Sequence, residues 1–494
     1  MRDKNNHLTE TDSTSFKLPL SVFEYYMFLD DCAGNTMTLP LSLSVEGKVD
    51  RAAMDKAYLE ACESHPLFCS IISKRDKCWY KVDKPEGIIW IESDAEDYFP
   101  WDEQYIDLTQ TTGLRFAVVS RGDFVTFHFL FHHCISDGIG YFQFLNTLFL
   151  CYLKNIGQNI TPLHYDAANL ANRTKYNLTP PPKPVSFFSA VKFIVVETLR
   201  WLIRRPLSPV SKSISETTKL SKTEQTLGLR EVEILGEQVR FELRSWGNSG
   251  FLFVRLNQNL TSRIIKKSKS NKLTIGDILL SSLFISLANS KYLSFAETDK
   301  DIKEIRDNEF LRIGLVNNMR GLDAEKIPAC NMISYSFPTR RFIDCRDNTD
   351  FYKKMSEEMQ YIKDYNVGKT FIDGLSFFMR LPFFMKKFIT SNRCLASAIL
   401  SSMNRLELFF SSDFLRDELG RICIGEMKLL DFYAAAPHRR GTPISITTNT
   451  YTGQLGLFVQ YDTKKITPND ATNWLIELIN TIAKDISYAE ATLS

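Results

Sequence analysis

The chain has 494 residues, 44% of them hydrophobic, with 60 Lys and Arg set against 58 Asp and Glu. That length accommodates roughly two to four domains with sizeable cores, and the near-zero balance excludes a domain-wide basic surface for nucleic acid. The ten cysteines stand singly, without CxxC or other metal-ligand spacing, and the start Met1-Arg2-Asp3-Lys4-Asn5-Asn6 is polar. With no run of about 18 uninterrupted apolar residues, the expectation is reduced thiols, a cytoplasmic location and no transmembrane helix.

In chain order, Leu18 to Asp30 reads as a turn followed by an aromatic-rich helix start, and Thr38 to Val45 alternates like a strand. Asp50 is placed to cap a helix bearing Ala53, Ala57 and Ala61. That helix stops before His65-Pro66, because proline restricts its predecessor. Leu67 to Ile72 leads into another strand, and Thr112 to Val118 into one more. Phe124 to Phe131 then alternates, with Val125, Phe127, Phe129 and Phe131 on one face and Thr126, His128 and Leu130 on the other. From Gly138 to Leu150 the apolar residues recur at helical spacing. His132-His133-Cys134-Ile135-Ser136-Asp137-Gly138 therefore occupies a strand-to-helix turn, a place that holds a side chain rigidly at a sheet edge.

The chemistry this turn suggests is general base catalysis, since a neutral imidazole suits taking a proton from an alcohol or amine near neutral pH. A regular continuation of the strand puts His133 on the phenylalanine face, where desolvation favours the uncharged form, and His132 on the face of His128. Asp137 fits an orienting role or simply a helix N-cap. Gly138 permits a tight turn or a close approach to a ligand. Cys134 points to the opposite face from its histidine neighbour and reads as packing.

Beyond Thr179, Pro180-Pro181-Pro182-Lys183-Pro184 breaks secondary structure and reads as a linker. Val185 to Arg205 places Phe187, Phe188, Val191 and Ile194 on one helical face, with Trp201, Lys192, Arg200, Arg204 and Arg205 nearby. Such a helix either packs in the fold or lies in a membrane interface. Residues 206–245 are polar and lack clear periodicity, which predicts an N-terminal unit 1–178, a crossover 179–245 and a C-terminal unit 246–494. In the second half Phe251 to Leu256 reads as a strand, Leu260 to Ser268 as a helix, and Thr274 as the N-cap of a long apolar helix. Residues 370–400, rich in Phe, Leu and Met, suit an acyl tunnel, a membrane contact or a buried helix pair. Pro443 to Leu457 predicts a hairpin turning at Thr452-Gly453.

His132-His133-x-x-x-Asp137-Gly138 resembles the HHxxxDG motif of the chloramphenicol acetyltransferase-like superfamily of acyltransferases, which includes condensation domains, alcohol acetyltransferases and wax ester synthases. Glu46-Gly47-Lys48-Val49-Asp50, His65-Pro66-Leu67, Thr274-Ile275-Gly276-Asp277, Asn318-Met319-Arg320 and Cys330-Asn331-Met332-Ile333-Ser334 are similar to further landmarks of that group. Gly276 and Cys330 depart from its pattern, which has Asn and Gly there. The plant BAHD signature Asp-Phe-Gly-Trp-Gly is missing: Asp431-Phe432 is followed by Tyr433-Ala434-Ala435.

The resemblance runs over residues 15–485. It implies an α/β chain of two similar lobes, each a mixed β-sheet flanked by helices, with an active-site tunnel between them. It further implies an acyltransferase in which His133 is the general base, taking a proton from a hydroxyl or amine that attacks a thioester. His132, Asp137 and Gly138 take supporting roles, Arg320 is a structural partner for Asp137, and His65 belongs to a structural junction. The backbone near Gly138, Thr447 and Asn449 are candidates for holding the oxyanion. The implied donor is acyl-CoA, with an acyl carrier protein thioester as the alternative; the acceptor is a small or lipid-like molecule, and no metal or bound cofactor is called for. Two other readings stay open, a stand-alone condensation-type enzyme fed by a carrier protein and a non-catalytic binding protein that keeps the fold.

Overall fold

Alternation over Phe124–His132 produces the strand on which the N-terminal half is built. It pairs antiparallel with Thr38–Glu46 over nine residues, from Thr38 opposite His132 to Glu46 opposite Phe124. In the computed structural model, which describes residues 16–93, 100–101, 103–176, 204–212, 226–296, 302–303, 308–380, 386–387, 389–390 and 393–485, these strands lie in a seven-stranded sheet. Its order is 415–416, 422–424, 427–434, 38–46, 124–132, 114–121 and 89–92, antiparallel except for its last pair. The phenylalanine face is covered by the helices Arg51–Ser64 and Gly138–Asn155. Phe131 stacks on Tyr141 with ring centroids 4.0 Å apart, and Phe68 on Phe144 at 4.3 Å. Large aromatic areas removed from water drive this layer together.

The C-terminal half carries a mixed sheet ordered 333–336, 310–318, 398–405, 444–451, 454–462, 249–255, 237–246 and 226–234, with 339–341 added beside 310–318. Strands 310–318, 398–405 and 444–451 run parallel and the others antiparallel. A second core forms against it, in which Leu283, Tyr352, Trp474 and Leu478 pack from the helices Ile275–Ala288, Thr349–Asp364 and Pro468–Ala483. Thr274 and Asp277 form a reciprocal capping box at the start of Ile275–Ala288. The hairpin closes at Thr452 and Gly453, with φ of 48° and 76°, the paired left-handed conformation of a two-residue turn.

Two expectations about the boundaries are corrected. The polar stretch 206–245 is not a plain crossover: Thr226–Ile234 and Glu237–Trp246 are strands of the C-terminal sheet, and Ser208–Ser211 pairs with Leu293–Ala296. They escape a periodicity reading because one face of this edge ribbon stays wet and carries Arg and Glu. The division at residue 246 also fails in the other direction. Residues 415–434 leave the C-terminal half and pair with Thr38–Glu46, so the N-terminal sheet is completed by chain from beyond the crossover. The proline-rich linker and residues 185–203 of the basic aromatic segment lie outside the described residues. Among those described, no single helix is long and apolar enough to cross a membrane, and all ten cysteines are free.

The halves are joined by buried polar contacts as well as apolar ones. His65 is fully buried: its Nδ1 accepts the amide of Ala329 at 2.9 Å, and its Nε2 lies 2.9 Å from the Thr147 hydroxyl. His128 faces the Ser42 hydroxyl at 2.9 Å. Burial drives both imidazoles down to about 3. Each is therefore neutral in the folded protein at pH values where the unfolded chain is already protonated, so stability drains away as pH falls below about 6.5. At pH 5 the loss is roughly 2 kcal/mol per histidine. Urea midpoints measured at pH 7.5 and pH 5 should show a clear drop, reduced when His128 is replaced by Gln; equal midpoints would contradict the burial of these rings.

Candidate active site

The motif strand ends at His132, whose amide donates to Gly113 O at 2.8 Å, and His133 continues the pairing by donating its amide to Met37 O at 2.7 Å. The chain then turns through Cys134, Ile135 and Ser136 into the helix Gly138–Asn155, with Asp137 as N-cap. The His133 ring stays on the phenylalanine side, 6.4 Å from Tyr141. Its Nδ1 lies 2.9 Å from Ser136 O. A carbonyl only accepts, so Nδ1 carries the hydrogen and Nε2 keeps its lone pair. Burial pushes the His133 pKa below the usual imidazole value, opposed by its hydrogen bond to Ser136 and by the charge of Asp137. The ring is thus held neutral with one basic nitrogen left over.

His132 does something else. Its Nδ1 accepts the Cys134 amide at 3.1 Å, and its Nε2 sits 3.4 Å from Asp31 Oδ2, too poorly aligned for a hydrogen bond. It is fully buried and supports the turn from behind the sheet rather than from the cavity. Cys134 is likewise packed away: its thiol donates to Glu24 O at 3.2 Å, and burial raises its pKa well above the thiol range. An inert thiol is the result.

Asp137 is buried and fully engaged. Oδ1 accepts the Gly140 amide at 3.0 Å; Oδ2 accepts Arg320 Nη1 at 2.7 Å and the Met332 amide at 2.6 Å. Arg320 also donates Nη2 to Cys330 O at 2.9 Å. Burial works against the Arg320 charge, but Asp137 outweighs it and raises the pKa further. The next residue along, Asn331, donates its side-chain amide to His133 O at 2.8 Å. The segment Asn318–Ile333 of the second half is therefore clasped onto the histidine turn of the first.

Of the two roles expected for Gly138, a tight turn or a close approach to a ligand, the backbone does not require the first. Gly138 has no left-handed φ, and a Cβ there would meet only the flexible end of Met403 at 3.4 Å. Its small size instead keeps the cavity open. Gly140 is the position that space demands: a Cβ would lie 2.0 Å from Ser136 Oγ and 2.8 Å from the Cys330 carbonyl oxygen.

A cavity of about 270 Å³ opens between the halves. Its wall includes His133, Asp137, Gly138, Thr447 and the apolar side chains of Met27, Leu39, Leu41, Phe142 and Phe432. Thr447 Oγ1 accepts the Ala436 amide at 3.0 Å, which leaves its own O–H to give. Asn449 does not belong to this wall, contrary to expectation. It lies two residues further along the strand, about 6.6 Å away, fully buried, with no partner for its amide among the described residues. Phe371, from the region expected to line a tunnel, packs edge-on against Tyr26 and Tyr335 and so stands behind the wall. Residues 381–385, 388 and 391–392 of that region lie outside the described residues. Sequence reasoning missed Asp30, Tyr335, Ser401, Ser402 and Arg439, all in the wall. Among the described residues no group of His, Cys, Asp and Glu is placed to hold a metal ion.

No family model matches the sequence, and no curated protein matches it. Solved structures do match in fold. The condensation domain of the monacolin K polyketide synthase MokA superposes with a TM-score of 0.63 at 13% identity, over 95% of this chain and 98% of that one. The trichothecene 15-O-acetyltransferase TRI3 of Fusarium sporotrichioides gives 0.65 at 11% identity, over 96% of each. The first condensation domain of the calcium-dependent antibiotic synthetase gives 0.64 at 12%, over 96% and 98%.

Removing the charge of Asp137 while leaving Arg320 buried should be costly, about 3–5 kcal/mol. Asp137→Asn is expected to lower the melting temperature strongly. Gly140→Ala should cost about 1–3 kcal/mol by overpacking, whereas Gly138→Ala should leave the melting temperature within error. A reversed order for the two glycines in a thermal scan would overturn the steric argument.

Proposed function

The chain has the fold of the chloramphenicol acetyltransferase-like superfamily, and from that fold and the geometry of His133 we propose that it is an acyltransferase acting on a thioester donor. The observation that carries the reading is a neutral, buried imidazole at the cavity whose Nδ1 is tied to Ser136 O, leaving Nε2 basic. In the proposed reaction Nε2 takes the proton from an acceptor hydroxyl as its oxygen bonds to the thioester carbon. The tetrahedral intermediate then collapses, the carbon–sulfur bond breaks, and the proton passes from Nε2 to the departing sulfur. The base is restored and no net proton is gained or lost.

Charge on the former carbonyl oxygen has donors within the wall. Gly138 and Ile139 line the cavity at the first turn of the helix Gly138–Asn155, where amides lack an intrahelical acceptor and the helix dipole is positive. The Thr447 hydroxyl is the side-chain candidate. Preorganised donors of this kind supply the largest part of such catalysis. Asp137, engaged on both oxygens, positions the turn and takes no proton. Acyl-CoA is the proposed donor. The likeness to condensation domains makes an acyl carrier protein thioester the second donor for the same assay.

His133→Ala should lower kcat by about 10² or more with the melting temperature preserved, followed as thiol release from a panel of acyl-CoAs. Full activity in that variant would remove the assignment and leave a binding protein. The pH profile carries a sign as well. Protonation of Nε2 abolishes the base, and burial shifts that event below the usual imidazole range, so the acid limb of kcat/KM should lie at lower pH than for an ordinary histidine. A decline beginning above pH 7 would mean another group limits the rate.

A further inference from the structure

The cavity contains one charged feature that the reaction does not use. Asp30, the last residue of the helix Val22–Asp30, and Arg439, in the turn after the strand Met427–Ala434, both line the cavity and are both buried. Arg439 Nε donates to Asp30 Oδ2 at 2.7 Å, and the guanidinium sits 5.7 Å from the centre of the Tyr26 ring. The turn that presents Arg439 is fixed. Arg439 and Thr442 exchange backbone hydrogen bonds of 3.2 and 2.9 Å, and Gly441 holds a φ of 70° with its α-carbon against the Arg393 carbonyl. The pairing is incomplete, however. Asp30 Oδ1 and Arg439 Nη2 are both buried and have no hydrogen-bond partner among the described residues. Both atoms belong to side chains that line the cavity, and a buried acceptor and donor without partners are costly unless something else completes them.

We propose that the Asp30–Arg439 pair recognises a second, neutral oxygen group on the acceptor, distinct from the hydroxyl that reacts at His133. This deepens the acyltransferase reading and rests on it. The pair has no net charge. A carboxylate there would set its oxygens against Asp30 Oδ1, and an ammonium would set its hydrogens against Arg439 Nη2. A group that both accepts and donates fits, and an alcohol hydroxyl is the smallest: its oxygen accepts from Nη2 and its hydrogen goes to Oδ1. The wall also carries the apolar side chains of Met27, Met37, Leu39, Leu41 and Ile139. The substrate class is therefore an apolar skeleton bearing two hydroxyls, one acylated and one anchored. Nothing in the local sequence announces the pair, since its members lie on opposite sides of the chain's length and meet only in the fold.

The test uses matched probes, the primary alcohols from butanol to decanol and the corresponding α,ω-diols, with acetyl-CoA as donor. At one chain length the diol should exceed the mono-alcohol in kcat/KM by about tenfold or more, the scale of a hydrogen bond to a charged group. In the double variant Asp30→Leu with Arg439→Met, whose apolar replacement avoids stranding a buried charge, that ratio should collapse to about one. Arg439→Lys, which keeps the charge but loses the planar fork, should reduce the ratio. In parallel, thermal shift of the His133→Ala protein reads diol binding without turnover. Stabilisation by a diol that the double change abolishes, with no turnover in the wild type on any of the acyl-CoA panel or a carrier-protein thioester, would keep the pair as a binding site and refute acyl transfer. Turnover with the same diol preference in wild type and double variant, or no stabilisation by any diol, would overturn the proposal and make the pair a structural ion pair only.

Discussion

A single carboxylate holds the site together. Asp137 caps the helix Gly138–Asn155 with one oxygen and with the other accepts from Arg320 and from the Met332 amide, across the boundary between the halves. Every bond is charge-assisted and lies in the buried joint, where competition from water is weak. The consequence reaches the His133 imidazole directly. The turn that Asp137 anchors is the same turn whose Ser136 carbonyl fixes the His133 tautomer, and the segment that Arg320 belongs to delivers Asn331 to the His133 backbone. Parting the halves would cost the ion pair, the helix cap and the orientation of the imidazole together. The geometry of this imidazole and the joining of the halves are one variable.

This dependence explains the tight steric fit around Gly140. The helix must begin against the Cys330 backbone for Met332 to reach the carboxylate, and only a residue without a side chain leaves room. The glycine inside the motif, Gly138, answers to the cavity instead. Two glycines two residues apart thus serve different masters, one the joint and the other the cavity.

Local features were legible in the sequence because local physics produces them. The alternation of Phe124 to Phe131, the caps at Asp50 and Thr274 and the Thr452-Gly453 turn follow from side-chain period and backbone preference, and the fold carries all of them. Sheet membership was not legible. Residues 415–434 join a sheet whose other members end nearly 300 residues earlier, a matter of backbone hydrogen bonds that leave no mark on composition. The ribbon 226–246 was hidden for the opposite reason, since a wet edge hairpin reads as polar chain. In the site, adjacent residues revealed the imidazole and Asp137, but the wall across from them is assembled from Asp30, Ser401 and Arg439, which no spacing connects.

The two polar ends of the cavity use burial in contrary ways. Around His133, removal of water favours the uncharged ring and so leaves Nε2 with its lone pair. Around Arg439, removal of water would penalise the charge, and Asp30 keeps it by supplying a counter-charge at 2.7 Å. A neutral end and a paired end together leave the cavity with no net charge to attract ions. On the proposed reading, the few polar atoms left without partners select what enters, because an apolar ligand would strand them while an ionic one would meet the wrong sign. Discrimination in such a chamber comes from the cost of failing to satisfy a buried group, which is larger than the gain from any apolar contact of the same size.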